Sequence, residues 1–599
     1  MSDYFHPYRD AEFILENLVN FDELSQQLNL DGVNQELASA VISEAGRFAS
    51  EVLAPLNSVG DQQGATLNEQ GVQQTPGFSE AYQQFAEAGW TSLTAEEEFG
   101  GQQLPQVLGT AVNEIWHSAN MAFALCPMLS QGAIEALCAH GSEVLQQQYL
   151  EHLISGRWTG TMNLTEPNAG SDLAAVSTKA VAEGDHYRIS GQKIFITWGD
   201  HQMTDNIVHL VLARLPDAPA GVKGISLFVV PKFLLDENGE PAEMNDVRCV
   251  SLEHKLGIHG SPTCVLSFGD EGGAIGYLVG EPNRGLMYMF TMMNSARQSV
   301  GLQGLSISER AYQQGLSYAR ERTQGKRADG SAKPIIEYPD VRRMLLTLKT
   351  GSEAMRALAL VASAELDRAQ IAGDAEQAKA HQLRAELMTP IVKGWMTEFA
   401  QELTSLNVQI HGGMGFIEET GAAQHFRDAR ILPIYEGTTG IQALDLIGRK
   451  LQMDQGESYR SLLAELTQTA RQLETGSDPR LAKTGRKLLK AIDAASSALR
   501  KILEEGNDRA ELNAGICVHF LMLSGFLVGG GLLGQAAVAA AQLQRQAEES
   551  GQALDPLWDS KISSAEFFAV QLLPRVGYLA EICAAESLSA MAGEECFEQ

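Results

Sequence analysis

Apolar residues at helical spacing dominate the first quarter of the chain. They recur three and four positions apart from about residue 10 to residue 155, for example in FILENLVNF and ELASAVISEAGRFASEVLAPL. This spacing places an apolar stripe along one side of a helix. The pattern therefore predicts a helical domain over residues 1–159, which includes an N-terminal extension.

The pattern changes over residues 160–284. Short runs rich in valine, isoleucine and phenylalanine, such as HYRISGQKIFITWG, NIVHLVLARL and GISLFVVPKFLL, are separated by glycine, proline and aspartate. Runs of this kind are typical of β-strands joined by turns. We predict a β domain for this part of the chain.

Helical spacing returns at residue 285 and continues to the C-terminus. It predicts a second helical domain over residues 285–452, a linker at QMDQGESYR, and a further helical bundle over residues 453–599 that is rich in Ala, Leu and Gln. The predicted fold class is mainly α with a central β domain.

One long apolar segment raises the question of a membrane. Residues 512–544 contain no Asp, Glu, Lys or Arg and are numerous enough to span a bilayer. The segment nevertheless contains His519, Gln535 and the glycines at 529–531, and no cluster of basic residues flanks it. We therefore expect a helix buried inside a bundle, where small side chains let neighbouring helices approach closely.

Charge and cysteine content exclude several classes of function. The net charge of −31 and the pI near 4.8 oppose non-specific binding to nucleic acid or to anionic lipid, and membrane contact is not expected. The seven scattered cysteines form no C-x-x-C pair, which disfavours a disulfide framework and a zinc site, and we predict no bound metal. Together with an acidic N-terminus unlike a signal peptide, they favour a cytoplasmic location.

Two segments of the predicted β domain can face a ligand. In MNLTEPNAGSDLAAV, Pro167 interrupts regular structure, and Gly170 and Ser171 permit a tight turn that aims N–H groups and hydroxyls outward. In GQKIFITWG, strand alternation places Phe195 and Thr197 on one face, where they could cover an isoalloxazine ring. Taken alone, the first segment is also compatible with an ordinary connection, and for the second an ordinary half-buried strand is the preferred interpretation.

A third segment, RDARILPIYEGTTGIQALDLIGRK, contains an isolated carboxylate. Glu436 lies between Tyr435 and Gly437 in a run of uncharged residues. Desolvation of such a carboxylate should raise its pKa, which suits a proton acceptor that works near neutral pH. The alternative is a glutamate at the start of the helix TTGIQALDLIG, where the helix dipole favours negative charge. The residues alone leave both interpretations open.

Together and in this order, the three segments resemble the acyl-CoA dehydrogenase family, whose signatures are similar to T-E-P-x-A-G-S-D and Y-E-G-T. The resemblance covers residues 35–450. It implies an N-terminal helical domain, a middle β-barrel-like domain and a four-helix bundle. The start YFHPYRDAEFILE and the last bundle resemble a bacterial subgroup with an extra C-terminal domain, which includes methylthiopropanoyl-CoA and fatty acyl-CoA dehydrogenases.

The resemblance implies that FAD is the cofactor. Phe195 stands where many relatives have a tryptophan against the flavin, and the nearby Trp198 could compensate. The diphosphate end of FAD is implied to reach a partner subunit, and Gln324 in ERTQGK replaces an aromatic residue of the family pattern. The implied FAD-binding residues are Leu164, Thr165, Ser171, Phe195, Thr197, Arg322, Gln409, Gly412, Gly413 and Thr438.

The resemblance also implies a reaction. Glu436 removes the α proton of an acyl-CoA thioester, its backbone N–H and a flavin ribityl hydroxyl stabilise the enolate oxygen, and hydride passes from the β carbon to flavin N5. The product is a trans-2-enoyl-CoA. Some relatives carry the base on an earlier helix, at a position where this chain has Ala296, so the resemblance favours Glu436.

Substrate and partners follow from the same resemblance. Ser171, Asn294, Arg297 and Tyr435 are implied to contact the acyl-CoA, although Asn294 replaces an aspartate of many relatives and Arg297 is also compatible with a plain surface arginine. The implied electron acceptor is an electron-transferring flavoprotein, and a homo-oligomer is expected, with a dimer favoured.

Several alternatives stay open. An acyl-CoA oxidase that uses dioxygen, and a non-catalytic regulatory flavoprotein, would share the fold. Fatty acyl, methylthiopropanoyl and aryl-substituted chains are all possible substrates, and residues in NMAFALCPMLSQG are expected to set the acyl chain length. The last bundle could complete the dimer or press against a membrane, and we favour the first.

Overall fold

The chain folds into two compact units. The computed structural model describes residues 4–371, 374–504, 510–584 and 594–597. One unit comprises residues 45–105 and 115–299, and the other comprises residues 1–44, 106–114 and 300–599.

Helices occupy most of the first 155 residues, as predicted. They are α1 (Tyr8–Ile14), α2 (Phe21–Gln27), α3 (Gln35–Phe48), α4 (Ala54–Gln63), α5 (Phe78–Glu87), α6 (Gln106–Ala119), α7 (Met121–His140) and α8 (Glu143–Ile154). The prediction missed a hairpin formed by β1 (Thr66–Asn68) and β2 (Gly71–Gln73). Its turn has a local cause, because the Asn68 side chain accepts from the Gln70 N–H at 2.8 Å and Gly71 has φ 100°.

The predicted β domain contains one eight-stranded sheet and one separate two-stranded ribbon. Its strands are β3 (Trp158–Asn163), β4 (Lys179–Glu183), β5 (His186–Thr197), β6 (Asn206–Arg214), β7 (Ile225–Pro231), β8 (Phe233–Leu235), β9 (Pro241–Met244), β10 (Val247–Leu252), β11 (Thr263–Phe268) and β12 (Ala274–Val279). The order is β10-β11-β5-β12-β7-β6-β3, and β8 pairs with β9. Because β4 pairs with both β5 and β6, five of the strands close into a barrel.

The barrel is buried against a helix on one side. β6 and β7 are buried almost along their whole length, which explains their unbroken apolar sequences. Next to β6, the parallel strand β3 lies directly under α7. A Cβ at Gly160 of β3 would come within 2.4 Å of the Ala133 Cβ, so only glycine permits this approach. The Gly160 N–H donates to the Ser130 hydroxyl at 3.0 Å.

Long helices dominate the rest of the chain. They are α9 (Gly285–Glu321), α10 (Pro339–Ala369), α11 (Ala375–His411), α12 (Ala422–Ala429), α13 (Thr439–Asp445), α14 (Leu451–Met453), α15 (Glu457–Glu474), α16 (Pro479–Glu504), α17 (Ala510–Ser550), α18 (Pro556–Gln571) and α19 (Arg575–Cys583). A second unpredicted hairpin, β13 (Thr323–Lys326) with β14 (Ala332–Pro334), interrupts this helical region.

The uncharged segment at 512–544 lies within α17. Glycines of α11 and α17 allow the two helices to pack closely: a Cβ at Gly394 would lie 2.4 Å from Leu521, and one at Gly525 would lie 1.9 Å from Trp395. This confirms the prediction of a buried bundle helix with small contact residues. Two helices of the described chain, Met121–His140 and Glu511–Ser550, are long and apolar enough to cross a membrane, yet 78% and 83% of their most apolar windows are buried within the protein.

A buried cluster of charges joins the N-terminal extension to later helices. The Arg356 guanidinium donates to Glu114 at 2.9 Å and to Glu309 at 3.0 Å, and it also pairs with Asp10. Lys561 of α18 contacts the same Asp10 carboxylate. Since the members come from α1, α6, α9, α10 and α18, each charge is compensated only when these five helices are in place.

Candidate active site

The predicted site residues fall into two groups, one in each compact unit. The first group lies in the unit that contains the barrel: Leu164, Thr165, Ser171, Phe195, Thr197, Asn294 and Arg297. The second lies in the other unit: Arg322, Gln409, Gly412, Gly413, Tyr435, Glu436 and Thr438.

The turn that follows β3 is fixed by the residue between Thr165 and Pro167. Glu166 is buried, and one oxygen accepts from the Ser177 N–H and hydroxyl, both at 2.7 Å. The other oxygen accepts from the Thr178 N–H at 3.1 Å and from its hydroxyl at 2.6 Å. The turn is also tight, because Glu166 and Ala169 exchange backbone hydrogen bonds of 3.1 and 3.0 Å. Ser171, just beyond it, is exposed.

Lys193 of β5 ties this turn to the barrel. Its ammonium, which has no exposed surface, donates to Glu166 at 2.8 Å and to the Leu164 carbonyl at 3.0 Å, and the Ile194 N–H donates to the Thr165 carbonyl at 2.9 Å. Desolvation favours the neutral acid, but Lys193 and the hydrogen bonds outweigh it and lower the pKa of Glu166 to about 2. Desolvation lowers the pKa of Lys193 to about 8 despite the opposing effect of Glu166. The pair is therefore ionised at neutral pH.

The end of β5 is irregular at the predicted flavin face. The register with β11 shifts between Cys264 and Leu266, and Phe195 has φ 60°, so an extra residue bulges from the strand. Phe195 is 58% exposed and Thr197 is half-buried, whereas Ile196 between them is buried. Phe195 and Thr197 thus share the accessible side, as predicted, on a strand that is bent there.

Trp198 does not share that accessible side. It is 1% exposed, its indole N–H donates to the Ala122 carbonyl at 3.0 Å, and its ring stacks on Phe78. The expectation that Trp198 could compensate for the missing flavin tryptophan was wrong, because its ring belongs to the core of its own unit. Phe195 is the exposed aromatic residue of this segment.

The predicted substrate residues of α9 lie one turn apart. Asn294 is exposed and its amide oxygen accepts from an Arg297 nitrogen at 3.5 Å. Arg297 is only 6% exposed. It is therefore not the plain surface arginine of the alternative interpretation. Ala296, at the other base position of the family, is also buried.

Glu436 lies in a loop between α12 and α13 and adopts an unusual backbone conformation. Its φ is 55°, in the left-handed region, where a residue with a side chain is disfavoured by about 1–2 kcal/mol. The side chain is half-buried. The next residue, Gly437, also has a positive φ of 88°. Left-handed conformations at a residue other than glycine persist only where the surroundings impose them.

Four side-chain hydrogen bonds within the same unit hold this loop. The buried Lys393 ammonium donates to the Gly437 carbonyl at 2.6 Å, and the Gln442 amide donates to the Glu436 carbonyl at 3.3 Å. The Thr439 hydroxyl donates to Glu398 at 2.6 Å. The Tyr435 hydroxyl donates to Gln303, and desolvation, followed by the charge of Glu436, raises the pKa of Tyr435. The phenol therefore stays neutral.

The helix after this loop is capped by another residue. The Thr438 hydroxyl accepts from the Ile441 N–H at 3.3 Å and begins α13, so Glu436 lies outside the capping position. The interpretation of Glu436 as the residue that starts this helix is therefore wrong.

The residues predicted to hold the diphosphate end of FAD are exposed. Arg322 precedes the β13–β14 hairpin, and Gln409 lies in the last turn of α11. A Cβ added at Gly412 or Gly413 would meet no atom within 4 Å. Gly412 has φ 59°, whereas nothing in the backbone or packing of this chain explains glycine at 413. The open space at Gly413 fits a site where a ligand approaches the backbone.

Sequence reasoning missed the side chains that position the predicted ones. Glu166 and Lys193 both stand inside quoted motifs, and a lysine within a buried strand could have signalled a buried partner. Gln442 also stands inside a quoted segment, whereas Lys393 gave no local signal because it is far from Glu436 in sequence. Among the described residues, no group of three or more His, Cys, Asp or Glu side chains is arranged to hold a metal ion.

Family profiles match most of the chain. Three acyl-CoA dehydrogenase profiles match the chain: the N-terminal domain at residues 36–157, the middle domain at 161–270 and the C-terminal domain at 283–452. A fourth profile, described as acetyl-CoA dehydrogenase C-terminal like, matches residues 462–594. The chain belongs to the acyl-CoA dehydrogenase family. The predicted fold class, with a middle β-barrel between helical domains and an extra C-terminal helical region, is confirmed.

Individual relatives agree with this assignment. The chain is 48% identical to 3-methylmercaptopropionyl-CoA dehydrogenase of Ruegeria pomeroyi, over 95% of this chain and 96% of that protein. It is 34% identical to broad-specificity linear acyl-CoA dehydrogenase FadE5 of Mycobacterium tuberculosis, over 96% of each. An acyl-CoA dehydrogenase of Bacillus anthracis, solved complexed with FAD, shares the fold with a TM-score of 0.73 at 21% identity, over 92% of this chain and 89% of that chain. The predicted enzyme class, an oxidoreductase acting on CH–CH groups, is confirmed.

Proposed function

We propose that this acyl-CoA dehydrogenase converts a saturated acyl-CoA to a trans-2-enoyl-CoA with Glu436 as the base that removes the α proton. The observation that carries the proposal is the left-handed backbone of Glu436 in a loop held by Lys393 and Gln442. A base must be held within reach of the C–H that it attacks, and strain of this kind concentrates at active sites.

Backbone and side chain of Glu436 would act together. The carboxylate takes the α proton, and the backbone N–H of the same residue donates to the thioester carbonyl oxygen, where negative charge develops. One such donor contributes about 3 kcal/mol to stabilising the transition state. Asn294 and Arg297 would hold the acyl-CoA, together with Ser171 and Tyr435.

FAD is the proposed cofactor, and the residues present fit it. The open space over Gly412 and Gly413 admits a diphosphate close to the backbone, with Arg322 and Gln409 beside it in the proposal. Leu164, Thr165, Ser171, Thr197 and Thr438 offer backbone groups or hydroxyls, and the exposed ring of Phe195 offers a flat contact. When bound, FAD supplies the acceptor for the hydride of the β carbon.

Substrate and acceptor are proposed on different grounds. The high identity to the Ruegeria enzyme supports 3-methylmercaptopropionyl-CoA as one substrate, and the similarity to FadE5 supports straight saturated chains. We base two further proposals on the family resemblance: the electron acceptor is an electron-transferring flavoprotein, and the enzyme is a homodimer. A panel of acyl-CoAs assayed with an artificial acceptor ranks the substrates. Stoichiometric hydrogen peroxide without an added acceptor would favour the oxidase alternative instead.

The test of the base is Glu436→Gln. The variant should fold and bind flavin, because glutamine keeps the size of the side chain, yet flavin reduction by acyl-CoA should slow by about a thousandfold or more. Stopped-flow absorbance of the flavin measures this step directly. Glu457→Gln, at an exposed acid of α15, is the control and should reduce at the wild-type rate. Wild-type reduction in Glu436→Gln would refute the assignment.

A further inference from the structure

The buried Lys393 has a function that the family assignment does not give it. We propose that Lys393 is a positioning residue that holds Glu436 in its left-handed conformation through the Gly437 carbonyl. This inference rests on the proposed role of Glu436 and deepens it. Lys393 itself touches neither the reacting carbon nor the base proton in this proposal.

The charge of Lys393 is buried. Lys393 lies in the middle of α11 and its side chain has no exposed surface. A lysine is rarely placed where water cannot reach it, since a buried ammonium loses its hydration and must be compensated. In α11, Lys393 is surrounded in sequence by apolar and small residues, as in TPIVKGW. A purely structural helix position would favour leucine or methionine.

The Lys393 ammonium is directed at the backbone of the Glu436 loop. Its Nζ donates to the Gly437 carbonyl at 2.6 Å. A hydrogen bond from an ionised donor is short and strong compared with one between neutral groups. The contact joins residues 393 and 437, so that it fixes the loop to the long helix α11 rather than to its own neighbours.

The backbone next to this contact has an unusual conformation. Glu436 and Gly437 both have positive φ, and the peptide that follows Gly437 carries the carbonyl that Lys393 holds. Rotation of Glu436 into an ordinary conformation would turn this carbonyl away from the ammonium. The remaining donor, the Gln442 amide, is neutral and longer, at 3.3 Å to the Glu436 carbonyl and 3.4 Å to the Gly437 carbonyl. Lys393 is therefore the charged anchor of the loop.

The experiment compares Lys393→Met, Lys393→Arg and a matched control in the holoenzyme. Methionine keeps the length and the apolar stem but removes the donor. We expect flavin reduction to slow by about a hundredfold, as for a reacting group displaced by about 1 Å, while KM for acyl-CoA changes less than about threefold. Lys393→Arg retains a charged donor and should recover at least part of the rate. Lys561→Met removes another fully buried lysine, which contacts Asp10, and should leave the reduction rate unchanged.

The outcomes separate positioning from stability. The proposal is supported if Lys393→Met reduces its flavin slowly but keeps the wild-type flavin content and KM, and if Lys393→Arg reduces its flavin faster than Lys393→Met. Equal loss of rate in Lys561→Met, or a Lys393→Met variant that reduces at the wild-type rate, overturns it. Where Lys393→Met does not accumulate, Lys393→Gln takes its place, and failure of both to yield folded holoenzyme also overturns it. Failure of the proposed base is recognised separately, because Glu436→Gln would then retain activity.

Discussion

Glu135 of α7 provides a pH-dependent test of the electrostatics of the barrel unit. Its side chain retains a little accessible surface but is closely surrounded by protein, and the Ser295 hydroxyl donates to it at 3.2 Å. Desolvation raises the pKa of Glu135 to about 7, against the smaller opposing effect of hydrogen bonds from Ser295 and Gln131. Glutamine at this position would keep the shape of the protonated acid and could never ionise.

The sign of the effect follows from the proton affinities of the two states. The folded protein holds the Glu135 proton more tightly than the unfolded chain, whose carboxyl has the ordinary pKa of 4.5. The stabilisation by this proton is therefore complete below pH 4.5 and is lost as the pH rises through about 7. Each tenfold difference in proton affinity corresponds to about 1.4 kcal/mol, so the wild type loses about 3 kcal/mol relative to Glu135→Gln across this range.

Urea unfolding of both proteins from pH 4.5 to pH 8.5 measures this difference. Glu135→Gln should match the wild type in acid and become more stable than it by about 3 kcal/mol at pH 8.5. The control Glu143→Gln, at an exposed acid in the first turn of α8, should follow the wild-type curve throughout. Parallel curves for Glu135→Gln and the wild type would refute the reasoning, because they would mean that Glu135 titrates alike in both states.

Two further variants test the proposed diphosphate site and the turn that follows β3. Gly413→Leu should weaken FAD binding to the apoprotein about tenfold or more, measured by flavin fluorescence. The control Gly448→Leu, also at an exposed glycine with no atom within 4 Å of an added Cβ, should bind FAD normally. Equal affinities of the two variants would contradict the cofactor site. Glu166→Gln leaves Lys193 buried without its carboxylate and should lower the free energy of unfolding by about 3–5 kcal/mol. Urea titrations measure this loss, and a loss below about 1 kcal/mol would show that the pair does not hold the turn.

Most of the fold could be predicted because its signals are local. Strand alternation and apolar runs located β5, β6 and β7, and the helical spacing located the long helices. The two hairpins were missed because each is only three or four residues per strand, too short for a period to emerge from the surrounding helical sequence.

The candidate site was predictable only in part. The motif residues could be named from their resemblance to a family, but Lys393, which holds the Glu436 loop, lies far from Gly437 in sequence. Trp198 shows the converse error: its neighbours Phe195 and Thr197 are accessible, yet a bend in the strand directs its indole to the Ala122 carbonyl. Such long-range contacts depend on the packed structure and leave no period in the sequence.

The close contact between α11 and α17 makes the extra C-terminal region part of the core of its unit. Gly525 leaves just enough room for Trp395, and Leu521 fills the space above Gly394. Without α17, the Trp395 ring and the surface around Gly394 would lose the side chains that cover them. Ending the chain between α14 and α15 would therefore leave the buried Trp395 facing water instead of giving a smaller stable protein.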